Sequence, residues 1–201
     1  MPLFHLIILV IFFLTFSGTP RPKIVTALPV VKPHIQQLFD KDEQQIPWAP
    51  DRKLTWEDFQ CEPKHNTDAV ASTSTSLGIA YQIKNSNLVY QINCSFSKAK
   101  SWGLVKTPYI LTHEQGHFDI TELFARKLHK ALKEYILNRA TFQKDINRIY
   151  EQIIEEKEAF QAAYDGETDH SRSRQAQLEW LEKIDELLAQ TEPYADYPSV
   201  Y

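Results

Sequence analysis

The sequence predicts an α+β domain in which a small antiparallel sheet is followed by three helices, zincin-like, with the most informative motif on the first long helix. Three observations carry this. Residues 69–97 are rich in β-branched side chains of alternating polarity. Helical periodicity takes over near residue 108 and persists to about 190. Glycine is scarce, at 5 in 201 residues. Few glycines exclude a fold of many tight hairpins, and exclude glycine-rich phosphate loops.

Taken in chain order, residues 3–16 (LFHLIILVIFFLTF) are apolar except for His5 and Thr15, and no Lys or Arg precedes Arg21. About 14 apolar residues fall short of the roughly 20 that span a bilayer, and fit the apolar region of a signal peptide. Residues 1–17 are therefore expected to be a signal peptide, with Thr15 and Ser17 before the cleavage site. An N-terminal anchor left uncleaved is the alternative. Either way the chain is expected outside the cytoplasm, periplasmic or secreted. Residues 18–51 hold six prolines and no apolar period, which predicts an extended linker with one short helix near 34–39. The domain is expected over 52–190, and KLTWEDF at its start alternates like a short strand or a strand running into a turn.

The stretch 69–97 predicts a hairpin with KNSN at 84–87 as its turn. Its second arm places Leu88, Tyr90, Ile92, Cys94 and Phe96 on one face. Thr and Ser crowd the first arm at 72–76. Such an arm is a half-exposed strand, or an edge able to hydrogen-bond an extended peptide. Helices are expected over about 108–138, 141–164 and 171–190. The second carries a stripe of Phe142, Ile146, Ile149, Ile153, Phe160 and Ala163 for antiparallel packing on the first. The tail, 191–201, has no period and is expected to be mobile or to lie along the surface.

The charge balance, 22 Lys+Arg against 26 Asp+Glu, argues against nucleic acid as partner, which needs a basic face. A membrane partner enters only through the N-terminal segment. Export permits a disulfide between Cys61 and Cys94, with two free cysteines as the alternative. Trp56, Trp102 and Trp180 are expected in the core.

The chemistry concentrates in His113-Glu114-Gln115-Gly116-His117, a match to H-E-x-x-H. At about 100° per helical residue, His113 and His117 lie roughly 40° apart, one turn from each other, as two imidazole ligands of one zinc ion must. Glu114 lies beside them and is suited to take a proton from water and pass it to a leaving amine. A third ligand is needed. Glu122 and Asp119 sit about 180° and 240° from His113, and His129 some 24 Å along the axis, so a continuous helix excludes all three. His65 in its loop stays open. So do Glu151, Glu155, Glu156 and Glu158 of the second helix. His170, at the junction of the second and third helices, is the preferred ligand, with Asp165 and Asp169 able to accept the second imidazole N–H of a ligand. Gly116 inside a helix costs about 1 kcal/mol relative to alanine, which a close approach of another segment or of substrate would explain.

Leu54-Thr-Trp56-Glu-Asp-Phe59, the Ser101-Trp102 pair, His113-Glu-Gln-Gly-His117-Phe-Asp119-Ile and Tyr164-Asp165-x-x-Thr168-x-His170 occur in this order. Together, over about 52–190, they resemble a bacterial family catalogued as domain of unknown function 922, regarded as secreted zinc-dependent proteases. The resemblance implies His113, His117 and His170 as zinc ligands and Glu114 as catalytic base. Ser171 follows where many members carry glycine. The resemblance implies no substrate.

An oxyanion-stabilising donor is expected from Tyr164, ahead of Arg172 and Arg174, with a phenol packed at a helix end as the plainer role for Tyr164. Asp119 and Glu122 are expected as solvated charges or as support for a ligand. The expected function is a zinc metallopeptidase acting on an extracytoplasmic protein or peptide. The alternatives are a cell-envelope binding or assembly module with a structural or vestigial metal, and a zinc amidase on cell-wall peptides.

Overall fold

Asn85 and Ser86 both take positive φ, 49° and 69°. Two such residues make a two-residue turn whose twist suits a hairpin. KNSN thus closes the hairpin where the sequence predicted it. This computed structural model describes residues 44–65 and 67–199; the expected signal segment and most of the proline-rich stretch lie outside them. In chain order the strands are β1 (Gln45–Pro47), β2 (Ala71–Ser72), β3 (Thr75–Lys84), β4 (Asn87–Ser97) and β5 (Trp102–Gly103). The helices are α1 (Pro108–Glu134), α2 (Phe142–Glu167) and α3 (Arg174–Gln190). The class is the expected one: an antiparallel sheet, then three helices.

β3 and β4 pair from Thr75↔Phe96 to Lys84↔Asn87. The first arm of the hairpin does not run unbroken from 69. Ser101 interrupts it. Its hydroxyl accepts from the Ser74 N–H at 2.9 Å, while its own N–H closes a turn on Ser97. Residues 71–72 are thereby diverted to a second, two-stranded sheet with β5.

The folded region starts earlier than residue 52. β1 pairs with β4 through Ile46↔Phe96, and Ile46 is buried in the core. Pro47 is tolerated because β1 is an edge strand. The KLTWEDF stretch is a 3-10 turn at Trp56–Asp58 and not a strand. Asp58 is the reason. Its carboxylate accepts from the Thr55 N–H and from both terminal nitrogens of Arg52, each at 2.8 Å, and pulls the chain round.

Thr107 caps α1 by accepting from the Ile110 N–H, and Pro108 occupies the first turn, where no N–H is needed. α1 is the central element: Phe118, Ile120, Leu123, Phe124, Ala125 and Leu128 are all buried between the sheet and the other helices. α2 runs to Glu167, three residues past the predicted end, and Asp169, His170 and Ser171, all at positive φ, then reverse the chain. Trp102 and Trp180 are buried, and Trp56 is half-buried. The cysteines are not joined; Cys94 is buried beside Glu122. The tail lies on the sheet, where Pro198 O accepts from the Ile92 N–H and the Tyr197 hydroxyl donates to Glu122 at 2.7 Å. Among the described residues no helix is long and apolar enough to cross a membrane.

Asp58 gives a test of the N-terminal anchor. Burial alone would raise its pKa, but the Arg52 guanidinium and the Thr55 N–H outweigh it and hold the carboxyl below its ordinary value. A depressed carboxyl stabilises the fold above its unfolded pKa, about 3.9, and loses that contribution as pH falls through the folded value. Asp58→Asn should therefore cost about 1–2 kcal/mol at pH 7 in urea unfolding. The gap to wild type should narrow below pH 4; an equal gap at pH 3 and pH 7 would refute this role.

Candidate metal centre

α1 delivers His113 and His117 to one face, with ring centroids 4.9 Å apart and planes nearly perpendicular. α2 brings Asp165 against both. The Asp165 Oδ1 lies 3.2 Å from His113 Nε2 and 3.1 Å from His117 Nε2. One ligand atom from each of these three residues falls within 4.8 Å of the others. Neighbouring donors on a tetrahedral zinc ion, with bonds of about 2.0–2.1 Å, stand roughly 3.3 Å apart, so the two distances from Asp165 to the imidazoles suit that ion.

The chemistry of the donor set agrees. The Nδ1–H of His117 donates to Gln161 Oε1. That tautomer leaves the Nε2 lone pair facing Asp165, where a cation, not a hydrogen bond between two acceptors, satisfies both. Gln161 also donates to the His117 carbonyl at 2.9 Å, so one amide fixes both ring and backbone. Burial lowers the His117 pKa, but the hydrogen bond and charge of Asp165, with the charge of Glu114, raise it overall. Burial likewise works to raise that of Asp165, yet the two imidazoles hold it well below the usual carboxylate range.

Glu114 is 4% exposed, and its Oε2 has no hydrogen-bond partner among the described residues. The Thr73 hydroxyl donates to its backbone carbonyl at 3.3 Å. Both imidazoles, Glu114 and Asp165 line a cleft of about 450 Å3, walled by residues 69–75 on one side and by Lys157, Glu158 and Gln161 of α2 on the other.

His170 stands at the end of this cleft. Its Nδ1 is 3.6 Å from Asp165 Oδ1, and its side chain is 58% exposed. The left-handed run 169–171 turns it outward, so Asp165 meets the imidazoles first. Tyr164 is wholly buried and outside the cleft lining. Its hydroxyl donates to the His113 carbonyl at 3.2 Å, and its ring stacks on His113 at 4.5 Å. That hydroxyl is committed to the helix and not aimed at an oxyanion. Burial first, then the charges of Glu114 and Asp165, push its pKa far up, so it stays a donor.

Helical rotation kept Asp119 and Glu122 off the face of the imidazoles as expected, but they are neither solvated charges nor supports for a ligand, since both are buried in bonds of their own. Asp119 accepts from Trp48 Nε1 and Gln115 Nε2 on the face away from the cleft, and Glu122 pairs there with Arg126 at 2.8 Å. His129 packs near Tyr90, and His65 is exposed and not part of the cleft. Of the glutamates of α2, only Glu158 reaches it. Sequence reasoning missed Gln161 and gave Asp165 only a supporting place. Their four-residue spacing was the available signal, once α2 is known to continue past Tyr164.

The model of a family described as bacterial protein of unknown function (DUF922) matches residues 36–171, a stretch holding every residue of this site. No curated protein and no solved structure matches the chain.

Gly116 shows how closely the two helices approach. A Cβ there would lie 2.5 Å from the Tyr164 hydroxyl and 2.9 Å from its Cζ. The buried phenol has nowhere to move. Gly116→Ala should thus destabilise by about 1–3 kcal/mol, despite a gain of about 1 kcal/mol in helix propensity. Measured by urea unfolding, the penalty should shrink in a Tyr164→Phe background. An unchanged penalty would locate the clash elsewhere.

Proposed function

The chain belongs to this DUF922 family, and for it we propose a zinc-dependent metallopeptidase that hydrolyses peptide bonds of a protein or peptide outside the cytoplasm. One observation carries the reading: two imidazoles one helical turn apart and a carboxylate converge within 4.8 Å, in an open cleft beside a buried glutamate. The apolar segment 1–17 supports the compartment.

His113, His117 and Asp165 would hold the ion, leaving a position open as catalytic sites require. Zinc so held supplies Lewis acidity toward a carbonyl and lowers the pKa of water. The chain does the rest. Glu114, unpartnered at Oε2, takes the proton of the attacking water and returns it to the leaving amine. Gln161 keeps the His117 ring in register, and Tyr164 props His113 from behind.

The approach of His170 to 3.6 Å favours a second reading. If it joins the other three donors, four protein ligands close the site, as in structural zinc sites, and the cleft belongs to an envelope binding module.

Metal analysis on purified protein decides between these. Wild type should carry about one zinc per chain, and His113→Ala and Asp165→Asn should each lose it. Zinc retained in Asp165→Asn and lost in His170→Ala would transfer the third place to His170. Glu114→Gln should keep its zinc and lose hydrolysis of casein by about 100-fold or more, the scale expected for a general base. Undiminished cleavage by Glu114→Gln would end the mechanism. Activity on peptidoglycan with none on casein would make the protein an amidase.

A further inference from the structure

Lys157 is only 7% exposed, yet it lines the cleft. It is the one Lys or Arg among the described residues that do so. Its ammonium is 2.7 Å from the carboxylate of Glu158, whose side chain is 64% exposed. A cation so far removed from water is costly unless a carboxylate meets it. An exposed partner, screened by solvent, offsets little of that cost. The two are also sequence neighbours, and adjacent helical residues do not face each other. Glu158 is thus a partner easily displaced.

The position of Lys157 along the cleft is set by α2. Lys157, Gln161 and Asp165 recur every four residues and share one helix face. Asp165 meets the imidazoles and Gln161 holds His117, so Lys157 is the next group along. It lies eight residues from Asp165, about 12 Å along the axis. An extended peptide advances about 3.3 Å per residue, so one held at the imidazoles reaches Lys157 roughly three or four residues on. The opposite wall supplies backbone and hydroxyls of residues 69–75, with Thr75 Oγ1 bonded to Thr121 Oγ1 at 2.7 Å.

We propose that Lys157 is a carboxylate-binding subsite, receiving an acidic side chain or the C-terminal carboxylate of a peptide in the cleft, with Glu158 displaced. This rests on the reading of the cleft as a peptide site. It assigns the cleft two recognition points: the metal centre for the bond to be cut, and a buried ammonium for an acid a fixed distance away.

The test uses the full chain carrying Glu114→Gln, loaded with zinc, and dansylated decapeptides of Ala, Ser, Thr and Asn. One has an amidated C-terminus and no carboxylate. One set carries a single Glu scanned through its internal positions, also amidated. One is neutral with a free C-terminal carboxylate. Anisotropy titrations should show one Glu position, or the free C-terminus, binding roughly tenfold tighter than the carboxylate-free peptide, the scale of one charged hydrogen bond. Which arm gains identifies the source of the carboxylate. Adding Lys157→Met should abolish the preference, and Lys157→Arg should keep it. Equal binding by all peptides, no binding by any, or a preference surviving Lys157→Met overturns the proposal. Cleavage of the same peptides by the wild-type chain is followed separately by mass spectrometry. A carboxylate preference without cleavage refutes the peptidase alone, and cleavage without a preference refutes the subsite alone.

Discussion

The candidate site depends on one contact, the seating of the Tyr164 phenol on the bare backbone of Gly116. The missing side chain lets α2 approach α1 until the Tyr164 hydroxyl reaches the His113 carbonyl and its ring lies flat on the His113 imidazole. Asp165 is the next residue. Its reach to both Nε2 atoms follows from where Tyr164 sits. A glycine within a helix weakens that helix by about 1 kcal/mol, and here the loss is offset by packing of a fully buried aromatic ring. The same ring touches Trp180 of α3, so all three helices meet at the back wall of the candidate metal centre.

The other side of α1 explains why so buried a helix carries so many polar residues. Gln115 accepts from the Leu54 N–H, and Asp119 accepts from Trp48 and stands 3.6 Å from the Lys53 ammonium. Glu122 accepts from Tyr197, and Arg126 donates to the Leu188 carbonyl. The segment before the first helix, the C-terminal tail and the end of α3 are thus each tied to α1 by a buried polar group. Such bonds give direction that apolar packing lacks. One face of α1 presents the imidazoles and the other fixes the helix, an arrangement that suits side chains needing placement to a fraction of an ångström.

How much of this was legible in the sequence follows from the length over which each signal acts. The hairpin and the three helices are long and periodic, and they appeared in the right order. The helical rotation that groups His113 with His117 and sends Asp119 and Glu122 away needs only 100° per residue. Even the close approach at Gly116 was foreseeable, because a glycine inside a helix calls for a reason. The short elements were not legible. Three residues of β1 inside a proline-rich stretch have no period, and they form a strand because β4 offers an edge. The break at Ser74 depends on the Ser101 hydroxyl, 27 residues away. The sequence preference for His170 over Asp165 as third donor has a related origin. With α2 ended at Tyr164, Asp165 had no direction, and His170 at the junction looked better held. One further turn of helix gives Asp165 its direction, and three left-handed residues swing His170 outward.

Charge ties the candidate metal centre to the stability of the domain. On the α1–α2 seam stand two carboxylates, Glu114 and Asp165, the first almost wholly buried. The imidazoles facing Asp165 have their Nδ1 atoms either used by Gln161 or without a partner among the described residues. Neutral imidazoles leave this seam with two negative charges, and burial makes such charge expensive unless a cation joins it. A proton on His117 is one cation, which is why the charges around that ring raise its affinity for protons. A divalent ion held between the same atoms, as proposed, would answer the whole imbalance and would bind only the folded chain, where α1 and α2 have met. Ion binding and helix docking would then favour each other, since whatever binds the native state alone stabilises it by mass action. The glycine that lets the helices touch would thereby contribute to ion affinity without contacting the ion.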